Sequence, residues 1–164
     1  MPDVYQNSLT VWCRQGKEDE PVKKLSEDAE KIMAERFGKD TIIALATVEN
    51  EVPSVRYVNA YYEDGAFYII TYALSNKMKH IENNPAVAIA GEWFTAHGKG
   101  INLGYFGKEE NCRIAGKLKN VFSEWIDNGH NDFEDENTVI LCVKSFLKTE
   151  LSPKTQYLSH FQRT

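Results

Sequence analysis

With 164 residues, of which 42% are hydrophobic and 26% charged, the chain has the composition of a folded domain with a core. Its net charge of −5 disfavours non-specific nucleic-acid binding, and no apolar run reaches the roughly 18 residues of a membrane-spanning helix. The N-terminal sequence MPDVYQNSLTVWCRQ lacks the basic and then apolar order of a signal peptide. We therefore expect a single cytoplasmic domain over residues 1–164 that binds neither nucleic acid nor membrane.

The first element predicted in chain order is a helix. Residues 1–20 form a lead-in without a clear pattern and end in a charged turn. The segment Pro21–Phe37 then repeats apolar residues at steps of three and four, and Gly38 is a suitable end for the helix. The residues expected on its buried face are Val22, Leu25, Ala29, Ile32 and Met33.

Three strands joined by short turns are predicted next, over Thr41–Val48, Val52–Glu63 and Ala66–Thr71. The first is almost continuously apolar, which suits a strand that is buried on both faces. The glycine of Glu63–Gly65 can supply the positive φ of a tight hairpin. Because these turns are too short for a parallel crossover, the strands are expected to form an antiparallel meander.

The second half of the chain continues this arrangement of strands with flanking helices. A short helix over Asn76–Asn83 and a strand over Ala86–Phe94 are predicted, whereas 95–108 contains four glycines and resists assignment. A second long helix is predicted over Glu109–Ile126, and Thr138–Leu151 closes the sheet as one strand or two. The fold class is therefore a mainly-β, antiparallel barrel with three flanking helices.

One short stretch carries a chemical signal. Ser75–Lys77 places a hydroxyl and a lysine at the start of the short helix, where the helix dipole disfavours a cation. Arg56 adds a charge inside an otherwise apolar strand, and Thr71 ends the next strand with a second hydroxyl. Together these groups predict a phosphate site. The alternative is a capped helix whose lysines face solvent, as we expect for Lys79.

The stretch RYVNAYYEDGAFYIITYALSNKMKHIENNP resembles the FMN-binding core of the pyridoxamine 5'-phosphate oxidase family. That core has an Arg-x-Val strand, a hairpin, a strand that ends in Thr, and then Ser-x-Lys before a helix that closes in Asn-x-Pro. The likeness is close over residues 41–93. It implies an FMN-binding split β-barrel, with Arg56 and Lys77 on the flavin phosphate. The cofactor-binding residues that it implies are Arg56, Tyr57, Val58, Asn59, Ile70, Thr71, Ser75, Asn76 and Lys77.

The resemblance also implies a homodimer with the flavin at the subunit interface. The strands are rich in aromatic residues for one small barrel to bury, which adds local support for a dimer. The aromatic residues in question are Tyr57, Tyr61, Tyr62, Phe67 and Tyr68.

Two departures from the family pattern concern the substrate. A family lysine that contacts the substrate phosphate corresponds to Tyr61 here, and the C-terminal TQYLSHFQRT lacks the family's Arg-x-His segment. Asn76 also stands where the family often has an arginine. We therefore expect a protein of the general-stress or nitroimidazole-reductase-like branch, an FMN-dependent oxidoreductase of unknown substrate other than pyridoxamine phosphate. The alternatives are a non-catalytic flavin-binding or redox-sensing module, and the same barrel with a deazaflavin or haem.

The remaining candidates for chemistry are weaker. Cys112 and Cys142 lie in apolar patterns and are expected in the core, and no spacing typical of a metal site occurs. His80 is expected to face solvent. His97 and Asn102 lie in the glycine-rich segment, where they either approach the flavin or belong to an ordinary loop. No catalytic acid or base is predicted.

Overall fold

The computed structural model describes residues 27–92, 94–129 and 131–146, with the side chains of 145 and 146 excepted. The predicted lead-in over 1–20, the first six residues of the predicted first helix and the end of the predicted closing strand lie outside these ranges. The described elements are α1 (Glu27–Phe37), β1 (Thr41–Glu49), β2 (Val52–Glu63), β3 (Ala66–Tyr72), α2 (Asn76–Asn83), β4 (Ala86–Ala90), β5 (Thr95–Tyr105), a 3-10 turn (Glu109–Asn111), α3 (Cys112–Val121) and β6 (Thr138–Phe146).

The six strands form a closed barrel in the order β1-β2-β3-β6-β5-β4, and every neighbouring pair is antiparallel. This arrangement confirms the predicted mainly-β antiparallel barrel and the meander of the first three strands. The last described strand, β6, lies between β3 and β5, so the chain returns through α3 to close the ring. None of the helices in the described part is long and apolar enough to span a membrane.

The first strand follows an inside-outside alternation. Ile43, Leu45 and Thr47 are buried, whereas Ile42 beside them is 62% exposed. The predicted burial of this strand on both faces is therefore wrong for the isolated chain. Successive side chains of a strand point to opposite faces, and only one face of β1 looks into the barrel.

The pairing of β2 with β3 is short, and this feature creates the split in the barrel. Three residue pairs join the strands, from Tyr61 opposite Tyr68 to Glu63 opposite Ala66. Beyond them β2 continues against β1 alone, and β3 continues against β6 alone, within the described chain. The strands separate towards the N-terminal end of β2 and the C-terminal end of β3. The two strands therefore have edges that are not paired with each other at one end of the barrel, and we call the stretch between these edges the cleft.

The glycine-rich segment that resisted assignment is the strand β5. At Gly100 an added Cβ would lie 2.9 Å from the Cδ1 atom of Ile81, so the glycine lets α2 pack closely on this strand. Gly104 has a φ of 83° at an irregularity in the pairing with β6. Gly100 thus allows close packing, and Gly104 allows a bulge. Four glycines in so short a segment are otherwise typical of a loop. The preceding strand, β4, correspondingly ends at Ala90 instead of at the predicted Phe94.

The helices differ from their predictions in length and in the faces they bury. The predicted second long helix is a 3-10 turn followed by the shorter α3, although Phe122 and Ile126 beyond it are still buried. Along α1, Met33 is buried but Ile32 is 52% exposed, so the predicted apolar face was too wide. Cys112 is exposed, contrary to its predicted place in the core, whereas Cys142 is buried as expected.

Two apolar clusters hold the barrel. One fills its interior, and the other lies between the outer wall and α3. Tyr61 joins the outer cluster, and Tyr62 and Phe67 join the interior one, so the single chain buries most of the aromatic residues that the sequence suggested for a dimer. Tyr57, however, is 81% exposed.

Candidate cofactor-binding site

The predicted cofactor residues of β2 and β3 lie on the two edges of the cleft. Continuing the register of the paired end would place Val58 opposite Thr71 and Asn59 opposite Ile70, but the strands have separated by this point. Backbone N–H and C=O groups along such edges are strong hydrogen-bonding groups that need a partner when they are buried. A ligand lying in the cleft can supply that partner, as the sequence predicts for a flavin.

The α2 helix begins at the same end of the barrel as the cleft. Its N-cap residue, Ser75, makes no side-chain hydrogen bond to the helix. The Oγ atom of Ser75 and the Oγ1 atom of Thr71 are both buried without a hydrogen-bond partner among the described residues. Burying an unpaired hydroxyl is unfavourable, so two such groups at one place indicate an absent acceptor. The first N–H groups of α2 likewise have no acceptor within the helix.

Two cations at this end of the cleft influence each other electrostatically. Burial, and then the positive charge of Arg56, lower the pKa of the half-buried Lys77. Burial also lowers the pKa of Arg56. Within the described residues neither cation is part of an ion pair. Like charges that are partly desolvated repel each other, and an anion between them would remove the repulsion. The charges and the hydroxyls therefore fit a phosphate group.

A hydrogen-bonded chain behind Arg56 was missed by the sequence analysis. The Nη1 atom of Arg56 donates to the Leu45 carbonyl oxygen at 3.3 Å and to Thr47 Oγ1 at 2.7 Å. Thr47 Oγ1 lies 3.0 Å from Nδ1 of His80, and the Nε2 atom of His80 lies 3.2 Å from Oε2 of Glu49. His80 is 7% exposed, so the expectation that it faces solvent is wrong.

Two features of the sequence could have indicated this series of hydrogen bonds. Thr47 occupies an inward position of a strand whose other inward residues, Ile43 and Leu45, are apolar. His80 follows Lys77 by three residues and therefore shares its face of the helix. A buried hydroxyl usually has a hydrogen-bond partner, and these two observations together would have suggested this one.

The side chains of two other predicted residues of β2 point away from the face that carries Arg56. Tyr57 and Asn59 alternate with Arg56 along β2, so their side chains point to the opposite face. Asn59 Nδ2 donates to Asp40 Oδ1 at 3.1 Å, and Asp40 Oδ2 accepts from Trp125 Nε1 at 2.6 Å. The Asn59 side chain is therefore engaged outside the cleft, and the backbone of this segment is what faces it.

Three further predicted contributors also lie apart from the cation pair. Asn76, at the first position of α2, is exposed. The side chain of Ile70 packs on the outer cluster, and that of Val58 packs against the interior one. Of the predicted residues, Arg56 acts electrostatically on Lys77, and Thr71 and Ser75 carry buried hydroxyls without a partner among the described residues.

The position that replaces the family's substrate lysine is buried. Tyr61 is 9% exposed and packs in the outer cluster beside α3. In the glycine-rich segment, Asn102 Oδ1 accepts from the backbone N–H of Gly104 at 2.9 Å, which is ordinary turn chemistry. No group of three or more His, Cys, Asp or Glu side chains in the described ranges could hold a metal ion.

Comparison with known proteins decides the family. A family model described as pyridoxamine 5'-phosphate oxidase matches residues 29–138. This chain belongs to that family. The matched range covers all but the first two residues of α1, all of the site described above and the first residue of β6, and so extends well beyond the stretch that carried the resemblance in the sequence. No curated protein matches this member of the family.

Solved structures of the same fold come from several bacteria. General Stress Protein 26 from Bacillus anthracis is 20% identical, with a TM-score of 0.54, over 71% of this chain and 88% of that one. A FAD-binding protein from Mesorhizobium loti is 15% identical, with a TM-score of 0.56, over 75% and 91%. The haem storage protein HutZ from Vibrio cholerae is 16% identical, with a TM-score of 0.55, over 73% and 89%. At these identities the likeness establishes the fold of this oxidase-family member and nothing finer.

Proposed function

We propose that this chain is an FMN-binding protein and that the flavin phosphate binds between Arg56 and Lys77. The observation that carries the proposal is that two partly buried cations influence each other where β3 ends and α2 begins, the segment that also carries two buried, unpartnered hydroxyls, those of Thr71 and Ser75. Arg offers a planar fork to two phosphate oxygens, and Lys offers a point charge. A phosphate would satisfy both hydroxyls and neutralise the repulsion in a single step.

The rest of the flavin would lie along the split between β2 and β3. The separated edges near Val58 and Asn59 on one side, and near Ile70 and Thr71 on the other, leave backbone groups for the ribityl chain and the ring. When bound, the flavin supplies hydride or electron transfer, and the protein supplies anchoring and orientation. We therefore propose a flavin-dependent oxidoreductase. The buried Tyr61 offers no cation to a second phosphate, which supports a substrate other than pyridoxamine phosphate.

A second copy of this chain is the proposed partner. The outer face of β1 and β2 exposes Ile42, Val55 and Tyr57, and the pairing register sets Tyr57 opposite Ala44 and Val55 opposite Ala46. Apolar side chains exposed on one face of neighbouring strands are typical of an interface. Sedimentation should give a dimer that V55D converts to monomer. A wild-type monomer with bound flavin would contradict this assignment.

The test of FMN binding is a titration of the purified protein with FMN and with riboflavin, which lacks the phosphate. Wild type should bind FMN far more tightly than riboflavin, and K77A and R56A should each reduce the difference. K79A is the matched control, because Lys79 lies on the same helix but is exposed. If neither K77A nor R56A weakens FMN binding, the phosphate assignment is wrong.

Turnover and spectrum separate the alternatives that remain. Oxidation of NADH or NADPH by the FMN-loaded protein would support the oxidoreductase, whereas a flavin that binds without turning over with any donor would support a sensing or storage module. HutZ, a haem storage protein with this fold, raises haem as a second ligand for the barrel. The paired cations and unpartnered hydroxyls favour a phosphate-bearing ligand, and a haem-like absorbance of the isolated protein would overturn that preference. A deazaflavin would be recognised by its own absorbance.

A further inference from the structure

The buried chain of hydrogen bonds behind Arg56 crosses three elements. It runs from Glu49 at the end of β1 to His80 on α2, back to Thr47 on β1 and then to Arg56 on β2. Thr47 is fully buried and His80 is nearly so, whereas Glu49 is about half exposed. The chain therefore begins at the surface and ends at the guanidinium group that is proposed to hold the flavin phosphate.

The chemistry of the two end groups fixes the first and the last bond, because a guanidinium only donates and a carboxylate only accepts. A guanidinium only donates, so Thr47 Oγ1 must accept from Arg56. Thr47 Oγ1 can still donate its own proton, and we assign that proton to Nδ1 of His80, in the neutral tautomer that leaves a lone pair there. The remaining proton of a neutral imidazole sits on Nε2 and donates to the Glu49 carboxylate. In this arrangement each of the buried groups uses both its donor and its acceptor.

We propose that His80 is a positioning residue for the phosphate site: held by Glu49, it orients the Thr47 hydroxyl, which in turn fixes the Arg56 guanidinium towards the cleft. This inference rests on the proposed FMN function and adds to it a set of residues that need not touch the ligand. An arginine side chain has many rotamers, and ordering it on binding weakens affinity. A guanidinium that is already held by Thr47 loses less freedom when the phosphate arrives.

The same series of hydrogen bonds connects the two elements that carry the cations of the phosphate site. Lys77 and His80 belong to α2, whereas Arg56 belongs to β2, and Thr47 stands between them on β1. The Thr47–His80 bond therefore fixes the helix that carries one cation relative to the strand that carries the other. Losing it should affect the phosphate end of the ligand and leave contacts to the flavin ring unchanged.

The experiment measures FMN and riboflavin affinity for matched variants. T47V removes the hydroxyl at nearly constant volume, and T47S retains it. We expect T47V to weaken FMN binding about tenfold, the loss of one hydrogen bond to a charged group, with riboflavin affinity unchanged. T47S should behave as wild type. H80L should resemble T47V, whereas H80N should lose less, because its amide oxygen can still accept from Thr47. In an R56A background T47V should have no further effect.

A second measurement does not depend on any ligand. The ¹⁵N shifts of the His80 ring in the full-length protein at neutral pH should show a proton on Nε2 and a lone pair on Nδ1. Losing Thr47 in T47V should move the Nδ1 resonance. A proton on Nδ1 would overturn the positioning chain even if FMN binds as proposed.

The outcomes separate failure of this inference from failure of the proposed function. If wild type prefers FMN to riboflavin but folded T47V keeps the full preference, or loses affinity for both ligands equally, the positioning role is wrong and the FMN function stands. If wild type shows no preference for FMN, the phosphate site itself is wrong and the positioning role falls with it. Should T47V fail to fold, the H80N and H80L pair and the ring shifts decide.

Discussion

The two ends of the β2–β3 pair differ in how fully their polar groups are satisfied. At the closed end, Glu63 forms ion pairs with both Arg113 and Lys117 of α3, the first at 2.7 Å. At the open end, the charge of Arg56 disfavours charged Lys77, neither forms an ion pair with a carboxylate of the described residues, and Thr71 has a buried hydroxyl without a partner there. The charged group at the closed end thus has ion-pair partners within the protein, whereas the two cations at the open end have none among the described residues.

The pKa shifts follow this difference. Burial opposes ionisation of Glu63, but hydrogen bonds from Lys117 and Arg113 outweigh it and hold the pKa of Glu63 below its usual value. At the open end burial and Arg56 both destabilise charged Lys77, and nothing described there offsets them. An unfavourable electrostatic environment of this kind is characteristic of a site that binds a ligand of opposite charge. Substitutions at the closed end should therefore change stability, whereas those at the open end should change binding.

The largest effect on stability is expected at Phe67. This side chain is fully buried at the closed end and packs edge-on against Tyr62, with ring centroids 5.0 Å apart. F67A should cost about 3–5 kcal/mol of unfolding free energy, because it leaves a cavity in the barrel interior. Urea unfolding measures the loss, with F67L as the milder control. A cost below about 1 kcal/mol would mean that the interior is packed differently.

Substitution of Lys77, unlike that of Phe67, should stabilise the ligand-free protein. K77M removes a charge that burial and Arg56 destabilise, and it retains most of the apolar length of the side chain. Because solvent screens the charge of this half-buried lysine, the apo protein should become only slightly more stable, by less than about 1 kcal/mol, while FMN binding is weakened. Thermal unfolding without ligand measures the gain, and K79M on the exposed side of α2 is the control. A destabilised K77M would show that the lysine has a structural partner.

Much of the fold could be predicted because local patterns agree with it. The bounds of α2, Asn76–Asn83, match their prediction to the residue, since Ser75 before the helix and Pro85 after it are strong local signals. β5 could not be predicted, because one of its glycines, Gly100, is explained by close packing on Ile81, a residue distant in sequence. The positioning chain escaped notice for the same reason: Thr47 and His80 are 33 residues apart.

The pH dependence of FMN binding should reflect Lys77. Its pKa in the free protein lies below that of an ordinary lysine, and a bound phosphate would raise it again. Affinity should therefore be constant at neutral pH and fall as pH rises through the lowered pKa, where the free protein loses the proton that the complex retains. Titrations between neutral and alkaline pH measure this, and K77R should shift the fall to higher pH. An affinity that rises in this range would contradict the assignment.

The smallest effect is expected at Glu63, where salt bridges contribute modestly. Its pKa is lowered in the folded state, so its contribution is present at neutral pH and is lost as pH falls through the folded pKa. E63Q should cost about 1 kcal/mol at neutral pH and less in acid, with FMN affinity unchanged. Denaturant unfolding at several pH values measures this. A change in FMN affinity would contradict the claim that substitutions at the closed end affect stability and not binding.

The most direct test of the account is the comparison of FMN with riboflavin in the wild-type protein. The two ligands share the ring and the ribityl chain and differ in the phosphate, the group for which Arg56, Lys77 and the unpartnered hydroxyls are proposed. Two charge-assisted contacts predict that FMN binds at least about a hundredfold more tightly. Equal affinity for the two ligands, or no affinity for either, would contradict the central claim.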